Sequence, residues 1–444
     1  MQKPPNIVIL HTHDTGRHLG LYDRGPATPN LSRMAAEGVV FNNAFATAAT
    51  CSPSRASLFT GMVPHSHGLI GLINCGVRLH QTSYEKYLAA VLAREGFGSY
   101  LFGHQHEAET AEELGYQHVQ PEQRCSEATP YVEDFFKSRP EQPFLAVVAF
   151  RETHRAFTEG NACRGEVRIP HYLPDHPDIR TEINGLNWDV EAVDDAIGRI
   201  IDAIDDAGLR DNTLVMYTTD HGIAFPGAKA LLFDVGIEVA LVVRGPGGFQ
   251  AGRRIDSLTS NIDIFPTLMA LAGIDTPDWV EGKSLLPLVR GETDEINDAI
   301  FVEDTYHAGY DPMRGIRTQR YKYIRSFEPR PYYFAANLED SCAKTVLAEQ
   351  TDVFERPRPM EFLFDLLSDS RETTNLADDP AWADVLDELR ARLDKWMNQT
   401  RDPLLAGFVA PSPNARIARD DAFFDTTDDK KLTAQEWLDA RAES

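Results

Sequence analysis

Three stretches of the chain, Ile7-Val8-Ile9-Leu10 after Asn6, Phe144-Leu145-Ala146-Val147-Val148-Ala149-Phe150 and Leu214-Val215-Met216-Tyr217, are apolar at successive rather than alternate positions. A strand with one wet face alternates, whereas a strand apolar on both sides must be covered on both. Helical signals separate these runs. Thr28-Pro29 is a cap-then-proline start with a stop at Gly38, and Ser83 to Gly96 has the pattern of a capped amphipathic helix. From about Asn187 to Ala207, Val193, Ile197, Ile200, Ile201 and Ile204 share one helical face, and the acidic residues are expected to form the solvated one. Strands at Ile237 to Val243 and Ile300 to Val302, with a helix from about Asp263 to Ala272, continue the alternation. The fold class is therefore α/β, a large, mostly parallel sheet between helices.

After Pro312 the pattern changes. Gly315 to Ile324 has the pattern of paired antiparallel strands, followed by Phe362-Leu363-Phe364-Asp365-Leu366 and a helix from about Ala381 to Met397. A division near Asp311 would separate a large domain, 1–311, from a smaller α/β domain, 312–444. Its acidic end, after Pro411, is expected to be a loosely packed extension.

At 444 residues and 42% hydrophobic, the chain can bury a large core. Its net charge of −25, from 43 basic and 68 acidic residues, disfavours nucleic acid and anionic membrane as partners. An anionic substrate would meet the same field, so its pocket needs local positive charge. Met1 to Leu10 lacks the apolar core and cleavage site of a secretory signal, and no apolar run is long enough to span a bilayer. The five cysteines are odd in number and widely spaced, unlike a disulfide framework. These features give the expectation of a soluble, cytoplasmic protein; nothing in them sets an oligomeric state.

One of those cysteines stands apart. A free cysteine mostly packs as a small hydrophobe. Cys51 instead lies in Thr50-Cys51-Ser52-Pro53-Ser54-Arg55-Ala56-Ser57-Leu58-Phe59-Thr60-Gly61, a small-residue turn running into a helix. Cys-x-Pro-Ser-Arg followed by Ala-Ser-Leu-x-Thr-Gly closely resembles the sulfatase signature. In that family a formylglycine-generating enzyme, here a transient partner, oxidises the cysteine to an aldehyde that hydrates to a geminal diol. The chemistry suits the reaction: one hydroxyl attacks sulfur and the second expels the sulfate, which a serine cannot do. Arg55, one helical turn on, can return its guanidinium towards the diol, and the helix N-terminus adds partial positive charge.

The resemblance extends along nearly the whole chain. Pro5-Asn6-Ile7-Val8-Ile9-Leu10, Thr28-Pro29-Asn30-Leu31, Thr219-Asp220-His221-Gly222, Leu363-Phe364-Asp365-Leu366 and Glu372-Thr373-Thr374-Asn375-Leu376 fall in family order. Within the family the chain is most similar to heparan N-sulfatases, through His65 and Gly68, Ala149-Phe150-Arg151-Glu152-Thr153-His154-Arg155 and Gly222-Ile223-Ala224-Phe225-Pro226. This implies an alkaline-phosphatase-like sandwich with a smaller C-terminal antiparallel sheet. Secreted members pair a cysteine at the position of Cys163 with one shortly after the His-Arg, where Ala156 and Phe157 leave no partner here, which fits a reducing compartment.

The same resemblance implies a divalent metal, usually calcium, held by Asp14, Asp220, His221 and the modified Cys51. His13 takes a position usually occupied by a second aspartate. Two imidazoles would move preference towards manganese or zinc; alternatively, His11 and His13 are hydrogen-bonded core histidines. His106 matches the base that releases sulfate, and His154 the acid that protonates the leaving group. His104 replaces a lysine of the family pattern, which puts its sulfate-binding charge in question. Lys229 takes the place of a second sulfate-binding cation, and Arg155 is expected to contact substrate. Tyr306, His307 and Glu328 to Phe334 would shape the leaving-group pocket or simply pack the interface.

The resulting expectation is a sulfatase acting on a small sulfated substrate, a sulfate monoester or sulfamate. Two alternatives stand beside it: a phosphonate or phosphate monoester hydrolase of the same superfamily, and a noncatalytic binding protein that keeps the fold. Comparing turnover of aryl sulfate and aryl phosphonate separates the first, and the intact Cys51 motif argues against the second.

Overall fold

The computed structural model describes residues 4–423 and 431–443. Eight strands form the large sheet: β1 (Asn6–Thr12), β2 (Val39–Phe41), β3 (Gly98–Gly103), β4 (His118–Gln120), β5 (Phe144–Phe150), β6 (Thr213–Thr219), β7 (Leu241–Arg244) and β8 (Arg253–Ile255). Their order is β4-β3-β5-β1-β6-β7-β2-β8. β7 runs antiparallel to both its neighbours, while the remaining pairs are parallel. Every residue of β1, β5 and β6 is buried, and successive side chains enter different cores. Val8 and Leu10 join one cluster, Ile7 and Ile9 the other. Two-sided burial of this kind is what the unbroken apolar runs require, each such side chain contributing about 1.5–3 kcal/mol.

Helices cover both faces, among them α1 (Pro29–Glu37), α2 (Cys51–Thr60) and α3 (Pro177–Asp206). α3 starts ten residues before the expected Asn187, because Pro177 sits at its first position and the His176 ring accepts the Asp178 amide. Its acidic residues form the expected solvated face only in part: Asp195, Asp202 and Asp206 are exposed. Asp189, Glu191 and Asp194 are buried and accept backbone amides from neighbouring segments: Thr158, Arg164, and Asn30 with Leu31. Asp194 thus caps α1, whose Thr28 makes no side-chain cap. Asp194→Ala is expected to cost about 1–3 kcal/mol by leaving those amides unpaired, measured as a lower urea midpoint with unchanged slope.

Two further expectations shift. The span Ser83 to Gly96 is not one helix: a 3-10 segment, Gln81–Lys86, and an α-helix, Leu88–Arg94, meet at extended Tyr87. Tyr87 is buried against Phe59 and Tyr116, and this packing holds the break. Ile237 ends a short helix, Asp234–Ile237, so the strand expected from there begins only at Leu241.

The smaller sheet is antiparallel, ordered β9 (Ala299–Tyr306), β10 (Tyr310–Thr318), β11 (Tyr321–Ser326) and β12 (Glu361–Asp365), and helix Ala383–Thr400 packs on it. Asp311 lies inside β10, so this sheet's first strand precedes the division expected there. The acidic end is not loose throughout: Ala415, Ile417 and Trp437 are buried against Tyr306 and Tyr310, although 424–430 lie outside the described residues. Among the described residues no helix is long and apolar enough to cross a membrane.

Candidate active site

The carboxyl ends of β1, β3, β5 and β6 carry His13-Asp14, His104 to His106, Thr153-His154 and Asp220-His221. Loops at that edge of an α/β sheet are where ligands bind. Cys51 meets them at the buried N-terminus of α2, with the helix dipole favouring an anion. Its Sγ lies 3.2 Å from His221 Nε2 and 3.6 Å from Asp14 Oδ1. Asp14 holds φ at +42° and Thr153 at +77°, left-handed values that cost side-chain-bearing residues about 1–3 kcal/mol each. That strain is spent where the two loops converge: the Thr15 and Thr153 hydroxyls lie 2.7 Å apart, and both face the His13 carbonyl as acceptor.

Asp220 shows how the loops prepare a cation site. Its Oδ1 accepts the amides of Asp14 at 2.8 Å and His221 at 2.9 Å, which fixes the carboxylate. Its Oδ2 is buried with no hydrogen-bond partner, as is His13 Nδ1, 3.2 Å away. Two orphaned donor atoms at that spacing fit neighbouring ligands of one cation, and His13, Asp14, Cys51 and Asp220 all present such atoms within 4.8 Å of one another. His221 points Nε2 at Asp14 Oδ1, 3.1 Å away, and its Nδ1 donates to the Gly222 carbonyl. A backbone-anchored imidazole of this kind is the usual second support of a metal-binding histidine. Ligation by His13 carries a cost, because it puts the ring's proton on Nε2, 3.3 Å from the Arg55 guanidinium.

Arg55 does not reach Cys51 as expected. Its Nε donates to Glu107 at 2.7 Å, and its other nitrogens face His11, His13 and the His104 carbonyl. Burial opposes its charge, but the adjacent Glu107 carboxylate more than offsets this. Arg55 therefore braces the histidines behind the site. Glu107 was not legible as a site residue, although it directly follows His106 and a buried arginine needs an anion.

A cavity of about 250 Å³ opens onto Cys51 and is also lined by His106, His154, Lys229, His307 and Glu339. Lys229 donates to Asp14 Oδ2 at 2.8 Å and Glu339 Oε1 at 3.0 Å. Burial works against its charge, and those carboxylates keep it protonated. His154 donates from Nδ1 to the Arg155 carbonyl and turns Nε2 towards Glu339, 3.4 Å away. Burial disfavours its imidazolium, yet Asp14 and Glu339 lift it to about 9. His106 is the opposite case: burial, then His104 and Arg55, holds it well below the usual histidine range. Within the cavity, a charged His154 thus stands with a neutral, proton-accepting His106. His307 donates Nδ1 to the Asn337 carbonyl, leaving Nε2 as an acceptor, and burial with nearby Lys229 lowers it to about 3. Glu339, which no sequence pattern marked, comes from a loop of the C-terminal part.

Two expected substrate contacts are elsewhere. Arg155 donates to the Ala224 carbonyl and Glu182 and lies between the rings of Phe157 and Phe225, 4.6 and 4.5 Å from their centres. It clamps the Gly222–Lys229 segment and does not line the Cys51 cavity. His104 packs its ring 4.8 Å from that of His13; burial and Arg55 lower it to about 3, so it supplies no charge for a sulfate.

Comparisons with known proteins agree with this geometry. The sulfatase family model matches residues 5–274, and a model of the N-sulphoglucosamine sulphohydrolase C-terminal region matches 224–342. An ulvan-active sulfatase of Formosa agariphila is 26% identical over 90% of this chain and 75% of its own. Human N-sulphoglucosamine sulphohydrolase is likewise 26% identical, over 90% of this chain and 91% of its own. In fold, the chain is similar to a 2-O GAG sulfatase, with a TM-score of 0.70 at 22% identity, covering 93% of this chain and 96% of that one. A sulfatase solved with its substrate D-glucosamine-2-N,6-O-disulfate gives a TM-score of 0.67 at 20% identity, covering 90% and 99%. The chain belongs to the sulfatase family and is a sulfuric ester hydrolase or sulfamidase.

Proposed function

We propose that this sulfatase removes sulfate from a small sulfated sugar, as a sulfate ester or a sulfamate, using Cys51 oxidised to formylglycine. The observation that carries the reading is the placement of Cys51 Sγ against His221 Nε2 and Asp14 Oδ1, beside the orphaned Asp220 Oδ2. The modified residue would supply a diol with one hydroxyl to attack sulfur and one to release the sulfate. A divalent cation on Asp14, Asp220, His221, His13 and that residue would lower the hydroxyl's pKa and offset charge on the sulfate oxygens. Lys229 binds the sulfate from its ion pairs with Asp14 and Glu339. His154 gives its proton to the bridging oxygen or nitrogen, and His106, neutral and facing the same cavity, takes a proton as sulfate leaves. A cavity of about 250 Å³ lies below the usual ligand-pocket range and suits one sugar residue.

Peptide mass spectrometry of protein made with an active formylglycine-generating enzyme tests this directly. The peptide containing residue 51 is expected to carry the aldehyde, and activity to scale with the modified fraction. Full activity with an unmodified thiol would overturn the reading.

The metal has its own test. Asp14→Ala and Asp220→Ala are expected to remove most bound cation, seen by elemental analysis, since each leaves the ion short of a carboxylate. His13→Asp is expected to raise calcium affinity, because it adds charge and removes the N–H facing Arg55. Identical metal content in wild type and His13→Ala would exclude His13 as a ligand.

A further inference from the structure

A second cavity, larger than the one at Cys51, has a volume of about 540 Å³. Five arginines line it, Arg17, Arg24, Arg168, Arg317 and Arg371, against three carboxylates, Asp23, Asp234 and Glu238. In a chain of net charge −25, such a cationic surplus in one hollow is unusual. Two of the three carboxylates are already engaged: Glu238 pairs with Arg17 and Arg24, and Asp234 with Arg317 and the nearby Lys322. Arg317 is buried, and its Nε has no hydrogen-bond partner. Arg17 and Arg317 both rest on Phe45, which fixes them as a cationic floor. Arg168 and Arg371 stand exposed at the rim, with no ion pair to a described residue. Tyr172, Pro170 and Ile169 add an apolar wall.

We propose that this cavity is a second anion-binding site, separate from the Cys51 cavity, and that it takes a sulfated or carboxylated sugar of one or two rings. Guanidinium groups match sulfate and carboxylate in planar, paired hydrogen bonds, and Arg317 Nε is a buried donor still lacking an acceptor. The volume falls within the range of organic-ligand pockets, about 300–1,000 Å³, and is far more than one inorganic anion needs. Tyr172 supplies an aromatic wall against which a sugar ring can pack. The Cys51 cavity shares none of these lining residues, although Thr15 and Gly222 of this cavity directly follow Asp14 and His221.

The test is calorimetric titration of a sulfated uronic acid–glucosamine disaccharide into Cys51→Ala protein, which does not consume it. Arg168→Glu/Arg371→Glu in the same background reverses two exposed charges without disturbing the core. The doubly reversed protein is expected to lose one equivalent of bound disaccharide, or to bind it at least about tenfold more weakly. An unchanged number and affinity of sites would overturn the proposal. Inorganic sulfate, titrated separately, is expected to bind the arginine-dependent site at least about tenfold more weakly than the disaccharide; equal affinity would overturn the sugar-sized ligand. With Cys51 intact, the charge reversals are expected to leave nitrophenyl sulfate turnover unchanged, and a marked fall would overturn the separation of the two cavities.

Discussion

Cys51→Ala is expected to reduce turnover of aryl and sugar sulfates by about 10⁴–10⁶-fold, the scale on which removal of a covalent nucleophile acts. Stability is expected to change little, on the order of 1 kcal/mol, because the apolar cluster Cys51 joins is small, with Leu72 and Cys75 alone. Activity and the urea midpoint measured on one preparation separate these effects. Cys51→Ser sharpens the result. It keeps a hydroxyl at the same place but lacks the second one, so it is expected to accept at most one sulfuryl group and then stall, visible as a single sulfate added to the intact mass. Sustained turnover by either variant would remove Cys51 from the chemistry and leave the cation site as the only catalytic element.

Much of the site was legible because short-range patterns carried it. The unbroken apolar runs required a sheet buried on both sides, and that sheet brings the loops after β1, β3, β5 and β6 to one edge. Cys51 and Asp220-His221 could be read where they stand because a helix start and a strand end are local features. The misread charges are those whose partners lie elsewhere along the chain. Asp189, Glu191 and Asp194 have the spacing of a wet helical face, yet each meets a distant backbone amide that makes burial favourable. Arg155 follows His154, but two phenylalanines, one at 157 and one at 225, draw it away from the cavity. Glu107 and Glu339 become site residues only through Arg55 and Lys229, 52 and 110 positions away. Helical and strand periodicities do not encode such pairings, so no reading of local spacing would have found them.

His154→Ala is expected to split substrates by their leaving group. Nitrophenolate departs without a proton, whereas a sugar alkoxide or an amine needs one. If the charged His154 supplies that proton, its loss should slow sugar sulfate or sulfamate hydrolysis by about 10²–10⁴-fold and nitrophenyl sulfate hydrolysis far less. The geometry favours this division: Nδ1 is committed to the Arg155 carbonyl, which fixes the ring, while Nε2 faces the cavity near Glu339. His106→Ala tests the complementary role, since a residue that assists sulfate release should matter equally for both substrates. Comparing kcat/KM with kcat on each substrate distinguishes proton transfer from binding, because a pure binding residue would raise KM on both and leave kcat unchanged. Equal losses on the two substrates in His154→Ala would therefore assign His154 to holding the sulfate beside Lys229, and the acid would have to be sought among the other cavity groups, Glu339 first.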